Sequence, residues 1–256
     1  MVEINLHDVS VSFPIYDGVS RSLKNRIVTA STGGHITAGS GQATVVRALN
    51  EITFTLEHGD RLALIGHNGA GKTTLLRVIA GIYTPMRGRV RRIGKVAPLF
   101  DTGFGMDPEA TGYENIRLRG LYLGLSKKEI DDRIDEIADF AELGSFLGMP
   151  LRTYSAGMQT RLAFAVSTSI DPEILLLDEQ IGAGDAAFMA KASRRLEDLV
   201  ARSGILVLAS HSDDAVRRFC TKGLLLEHGW VKFAGSAEEA LEAYRALGAP
   251  RRPAAS

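Results

Sequence analysis

The stretch RLALIGHNGAGKTTLLRVIA, residues 61–80, runs from an apolar strand through a glycine turn into an apolar helix. Its centre, Gly66, His67, Asn68, Gly69, Ala70, Gly71, Lys72 and Thr73, fits the pattern G-x-x-x-x-G-K-[ST], and Thr74 follows it. Glycines at these points let backbone N–H groups turn inward around phosphates without a Cβ clash. Lys72 is placed to reach the β- and γ-phosphates, and Thr73 to offer a hydroxyl to Mg²⁺. The pattern predicts an α/β nucleotide-binding core with a helix over residues 72–80.

Upstream, residues 2–13, VEINLHDVSVSF, alternate like a half-buried strand pair. Residues 49–66 repeat that reading with a turn at His58, Gly59 and Asp60. Between them, residues 17–45 read as an insertion: a short basic helix around residues 23–28, then a loop rich in Gly, Ser and Thr. Downstream of the phosphate-loop helix lies a Gly- and Arg-rich β region, then LFDTGFGMDPEATGYENI, which has no clear periodicity. Ser126 and Glu129 form a capping-box pattern, and the helix it opens carries Ile130, Ile134, Ile137 and Phe140 on one face. From Glu173 apolar strands alternate with helices over residues 186–201 and 212–219, and a last helix is expected over 237–247. Strands apolar throughout imply a parallel sheet covered on both faces. The tail GAPRRPAAS, residues 248–256, is expected to be disordered, leaving residues 1–247 as the folded domain.

Thirty basic residues balance thirty acidic ones in 256, so no basic footprint for nucleic acid is present. The single cysteine, Cys220, forbids an internal disulfide and fits a reducing compartment. No signal-peptide pattern is visible at the start, and no apolar run approaches the ~18 residues a membrane span needs.

Two further segments carry chemistry. ILLLDE, residues 174–179, reads as a buried strand that delivers Asp178 to its carboxyl end, where it would hold Mg²⁺ through water, and Glu179, placed to polarise an attacking water. His211 follows the strand ILVLAS at another strand end, the edge where open α/β sheets bind ligands, and there an imidazole can meet a γ-phosphate. His7, His35, His58 and His228 have no such context and read as surface or packing residues. YSAGMQTRLAFAVS, residues 154–167, opens a helix with small polar residues, exposing N–H donors that suit an anion.

Taken in order, GHNGAGKTT, YSAGMQ, ILLLDE, GAGD and SHS resemble the nucleotide-binding subunit of an ABC transporter, over nearly the whole chain. The resemblance implies a P-loop NTPase core with a parallel sheet, an antiparallel β subdomain and an inserted α-helical subdomain at about residues 106–168. It implies that Ser155, Ala156, Gly157, Met158 and Gln159 are the signature motif, which binds the γ-phosphate of ATP held by a second copy in a head-to-tail homodimer. Tyr154-Ser155-Ala156-Gly157-Met158 departs from the commoner L-S-G-G-Q. Asp185 matches the D-loop residue that crosses the dimer interface. Asp101 stands where most relatives carry a Gln that meets Mg²⁺ and the attacking water; Gln180 is a weaker alternative. Phe13 matches the aromatic that stacks on adenine, with Tyr16 as competitor, and either can equally be packing.

A narrower resemblance rests on TGYEN at 111–115, YSAGM at 154–158, RLAFA at 161–165 and GDAAF at 184–188. These are similar to motifs of ATPases that export bacterial surface polysaccharides such as O-antigen, teichoic acid, capsule or galactan; Thr102-Gly103-Phe104-Gly105 departs from that group's L-G-x-G-F. The expected partners are a polytopic permease and, through it, a lipid-linked polysaccharide, at the cytoplasmic face of the plasma membrane. Rival readings are an ABC ATPase for another transported substrate, a soluble ABC ATPase of DNA maintenance or translation, and a non-enzymatic module. The soluble class needs coiled-coil arms or two cassettes, and the non-enzymatic one is disfavoured by intact Lys72, Asp178, Glu179 and His211.

Overall fold

The computed structural model describes residues 1–15, 36–38, 44–100, 105–178 and 186–248. Along the chain the elements are β1 (Glu3–Ile15), β2 (Ile36–Ala38), β3 (Thr44–Glu57), β4 (Arg61–Ile65), α1 (Lys72–Ala80), β5 (Arg87–Ile93) and β6 (Val96–Leu99). There follow α2 (Gly112–Tyr122), α3 (Lys127–Asp131), α4 (Ile134–Ala141), α5 (Ala156–Ser167), β7 (Ile174–Asp178), α6 (Ala186–Arg202), β8 (Ile205–Ala209), α7 (Asp213–Phe219), β9 (Lys222–Glu227), β10 (Trp230–Ser236) and α8 (Ala237–Gly248). They group into two compact units, Met1–Ile93 with Ile205–Ser256, and Gly94–Gly204.

In the first unit β1 pairs antiparallel with β3 on one side and β5 on the other, and β2 extends the sheet beyond β3. Residues 2–13 were expected to make a strand pair; they make one long strand. The reason is a bulge: Asp8 sits at φ 50°, and the register shifts between Leu6 and Val9. The bulge resets the alternation, so Ile4 and Leu6 before it and Val9 and Val11 after it all face the core. A second correction concerns residues 36–38, expected as loop, where Ile36 pairs with Val46 and Ala38 with Thr44. Pairing with a distant strand supplies what the local composition lacks. Residues 16–35, including the expected basic helix, lie outside the described residues.

The turn at His58-Gly59-Asp60 forms, with the Asp60 N–H donating to Glu57 O at 3.0 Å. The chain then changes sheets. β4 runs parallel to β8 and to β9, and β10 returns antiparallel along β9. β8 is buried along its whole length and β4 from Leu62 to Ile65, as predicted for parallel strands covered on both faces. α1 occupies the predicted residues and stops at Gly81, which takes the left-handed conformation at φ 82°. Cys220 is buried, and burial pushes its thiol up to about 12.

In the second unit β6 runs parallel to β7, Val96 opposite Ile174 and Leu99 opposite Leu177. The Ser126–Glu129 capping box forms, but the single helix expected after it is broken into α3 and α4. Arg133, at φ −110°, donates its N–H to Ile130 O three residues back, which tightens the chain and ends the first helix. Ile130, Ile137 and Phe140 are buried all the same, whereas Ile134 is only half-buried. The stretch without periodicity contains a second capping box: the Thr111 hydroxyl accepts the Glu114 N–H, the Glu114 carboxylate accepts the Thr111 N–H, and α2 begins there.

Candidate functional site

Within the first unit the buried strand β4 delivers the chain to Gly66 and the loop that ends at α1. Backbone from two other segments holds this loop from behind. Gly229 N–H donates to Ala70 O at 2.9 Å, and Asn50 N–H donates to Gly229 O at 2.8 Å. A Cβ on Gly66 would stand 2.3 Å from Leu226 O, and one on Gly71 2.7 Å from Ala48 O. Gly71 also has φ 110°, so glycine is required twice over, by conformation and by crowding. As a glycine it offers no side-chain cap to α1, and the first-turn amides and positive end of the helix remain directed at the loop.

Lys72 is 8 % exposed, and its ammonium is held inside the loop by the carbonyls of Gly66 and, at 3.2 Å, His67. It lies 3.4 Å from His211 Nε2, and the same ring nitrogen is 2.9 Å from Asn68 Oδ1. Two residues 139 positions apart, both singled out by sequence, thus meet over the phosphate loop. Thr73 and Thr74 lie half-buried in the first turn of α1. His67, at a free position of the pattern, hydrogen-bonds Asn68 O through Nδ1 and packs its ring 4.9 Å from that of His228. That contact, with Gly229 beside it, ties the β9–β10 turn to the loop; no motif in the sequence marks His228 or Gly229.

Phe13 is 36 % exposed near the end of β1. Its ring meets Tyr83 in an edge contact, with centroids 5.2 Å apart and planes at 68°. Tyr16 lies outside the described residues.

In the second unit Asp178 ends β7, half-buried at the mouth of a strand otherwise buried. Glu179, Gln180, Asp185 and Asp101 lie outside the described residues.

Helix α5, expected to open with the signature motif, departs from its sequence reading. Its donors were expected to lack a local partner, but Ser155 is an N-cap whose hydroxyl accepts the Met158 N–H at 3.3 Å. At Gly157, among the described residues, an added Cβ would meet only Ser155 Oγ, at 3.9 Å. Packing among the described residues therefore does not require glycine at 157. An open groove of about 390 Å³ lies here, lined by Glu142, Leu143, Phe146, Ser155, Gly157 and Arg161 among others.

Several described residues of the polysaccharide-group motifs pack around this helix. Tyr154 is buried, which pushes its phenol up, and its hydroxyl donates to Phe146 O at 2.6 Å. Gly112 makes room for it, since a Cβ there would lie 2.3 Å from the Tyr154 oxygen. Asn115 is fully buried; its Nδ2 donates to the carbonyls of Asp107, Ala110 and Thr111 at 2.9 to 3.0 Å, and its Oδ1 accepts the Asp107 N–H at 2.7 Å. Phe164 and Phe188 meet edge to face at 6.1 Å and both pack on Phe140. Arg119, 2 % exposed, donates from Nε and an Nη to Ser167 Oγ, tying α2 to α5.

Comparison with known proteins supplies the context. The family described as "ABC transporter" matches residues 49–182. The chain is 50 % identical over 231 residues to the O-antigen export system ATP-binding protein RfbE of Yersinia enterocolitica, covering 90 % of this chain and 97 % of that one. It is 36 % identical over 242 residues to the O-antigen export system ATP-binding protein RfbB of Klebsiella pneumoniae, covering 94 % and 97 %. Among solved structures it superposes on a dimeric ATP-binding cassette bound to ADP and Pi in a post-hydrolysis state, with TM-score 0.65 and 21 % identity over 91 % of this chain and 98 % of that one. The fold, the phosphate loop with Lys72 and His211, and these matches agree: the chain belongs to the ABC transporter family.

Proposed function

We propose that the chain is the ATP-hydrolysing subunit of an exporter of lipid-linked polysaccharide, working as a homodimer on a polytopic permease at the cytoplasmic face of the plasma membrane. The observation that carries this reading is the 50 % identity to an O-antigen export subunit over 90 % of the chain, beside this chain's own T-G-x-E-N and Y-S-x-G-M motifs at 111–115 and 154–158. Among the described residues no helix is long and apolar enough to cross a membrane.

In the proposed cycle the loop of residues 66–73 holds the phosphates of ATP through its amides, and the Lys72 ammonium binds the β- and γ-phosphates. Phe13 stacks on adenine. His211, beside Lys72 and Asn68, hydrogen-bonds the γ-phosphate. The oxygen donors of Thr73, at the start of α1, and Asp178, at the end of β7, suit Mg²⁺, a hard cation, with Asp101 as a third ligand on the sequence reading. When bound, that ion spreads the charge of the β- and γ-phosphates. Glu179 polarises the attacking water.

Ser155 and the amides of Ala156 and Gly157 take the γ-phosphate of the ATP held by the second copy, and Asp185 crosses between the copies. ATP then favours the closed dimer because its terminal phosphate touches both chains, and hydrolysis removes that contact. Glu179→Gln is expected to keep ATP binding and abolish hydrolysis. In cells it should stop polysaccharide reaching the surface, with lipid-linked polymer accumulating inside. Surface polymer at the parent level in that variant would refute the reading.

A further inference from the structure

The loop that follows α1 carries a tyrosine outside every motif of the nucleotide site, and its contacts link the two ends of that site. Ile82 and Tyr83 both donate their N–H groups to Arg77 O, at 2.9 and 3.2 Å, folding the segment back on α1. The Arg77 guanidinium lies 5.7 Å over the Tyr83 ring and donates to the Tyr83 hydroxyl at 3.3 Å. Tyr83 is thus fixed at its backbone, its face and its hydroxyl by one residue of the helix that starts at Lys72. The edge contact at 5.2 Å then passes that restraint to Phe13, which β1 presents near its end, 36 % exposed.

An aromatic platform for a base is useful only when its ring is held at a set distance and tilt from the phosphate cradle. At Phe13 the strand fixes the backbone, and among the described residues Tyr83 meets its ring in an edge contact. We infer that Tyr83 is a positioning residue for nucleobase binding: anchored by Arg77 to the phosphate-loop helix, it sets the Phe13 ring against which adenine stacks. The inference rests on the adenine role of Phe13 proposed above. The side chain touches Phe13 and Arg77 and has no role in the chemistry at the phosphates.

The test compares ATP with inorganic tripolyphosphate, a probe that has the phosphates and lacks the base, by titration calorimetry on the full chain with Mg²⁺. Tyr83→Ala is expected to weaken ATP roughly five-fold, somewhat less than Phe13→Ala, with tripolyphosphate affinity unchanged in both. Tyr83→Phe keeps the ring and loses only the hydroxyl bond to Arg77, so ATP affinity should stay within about two-fold of the parent. Equal loss of ATP and tripolyphosphate in Tyr83→Ala would mean a disturbed loop and would overturn the inference. ATP affinity unchanged in Tyr83→Ala while Phe13→Ala loses it would overturn the inference alone. Unchanged ATP affinity in Phe13→Ala would remove the adenine role of Phe13 and the inference with it.

Discussion

Gly229 belongs to no nucleotide motif, yet its replacement by alanine should weaken ATP binding. It sits at φ 80° in the β9–β10 turn, where an added Cβ would lie 2.6 Å from Ala48 O and 3.0 Å from Asn50 Nδ2. Holding an L-residue in the left-handed region costs about 1–2 kcal/mol. A Cβ at 2.6 Å from a backbone oxygen is closer than packing tolerates, so the turn must also move away from Ala48, for a total of about 2–3 kcal/mol. The motion cannot stay local, because Gly229 N–H is bonded to Ala70 O inside the phosphate loop. If half the cost falls on the loop, the ATP dissociation constant rises about 5- to 13-fold. The control is Gly59→Ala, at φ 95° with nothing among the described residues within 4 Å of the added Cβ, at the opposite end of β4 from the phosphate loop. It carries the conformational cost alone and should lower the urea midpoint with ATP affinity intact. Calorimetric titration with ATP and Mg²⁺, alongside urea unfolding of both variants, decides the matter. Parent-like ATP affinity in Gly229→Ala, or an equal loss in Gly59→Ala, would refute the argument that the turn positions the loop.

Asn115→Ala should destabilise the protein by about 2–4 kcal/mol in urea unfolding, because one buried amide serves three carbonyls and one N–H; a loss under about 1 kcal/mol would contradict this. Acid should weaken the fold through the capping carboxylates. Hydrogen bonds from the Thr111 backbone and hydroxyl hold Glu114 below its ordinary 4.5, so its stabilisation is present above that value and is lost as pH falls through the lower folded one. Glu114→Gln keeps an acceptor for the cap and removes the proton uptake, so its urea midpoint should fall less steeply below pH 4.5 than the parent's; identical slopes would contradict the assignment.

What could be read in advance follows the range of the interactions involved. The phosphate loop and α1 were legible because Gly71, Lys72 and Gly81 fix conformation and chemistry within a few residues. β7 and β8 were legible because a strand buried on both faces must be apolar throughout. The long strand β1 was misread as two because the bulge at Asp8 moves the buried set from even to odd positions, and to a local reading that looks like a new strand. β2 escaped notice because its three residues owe their conformation to Thr44–Val46 opposite them. The break at Arg133 falls inside a continuous apolar stripe, so periodicity runs across it. Lys72 and His211 were each legible through a motif, and the structure adds that they touch. Ala48, Tyr83, His228 and Gly229 carry no signal at all, since they act on the site through backbone crowding and ring contacts from distant segments. The Thr111–Glu114 box was visible in principle as T-x-x-E, but the aperiodic residues around it concealed the helix it opens.

The proposed function requires ATP to be held between two copies of this chain, by the phosphate loop of one and the Ser155 helix of the other. Sedimentation velocity of the hydrolysis-deficient Glu179→Gln chain tests it most directly, with ATP and Mg²⁺ against ADP and Mg²⁺. The expected result is a dimer in ATP, a monomer in ADP, and a monomer in ATP once Ser155→Arg is added, with nucleotide still bound. A monomer in saturating ATP, or a dimer that survives Ser155→Arg, would contradict it.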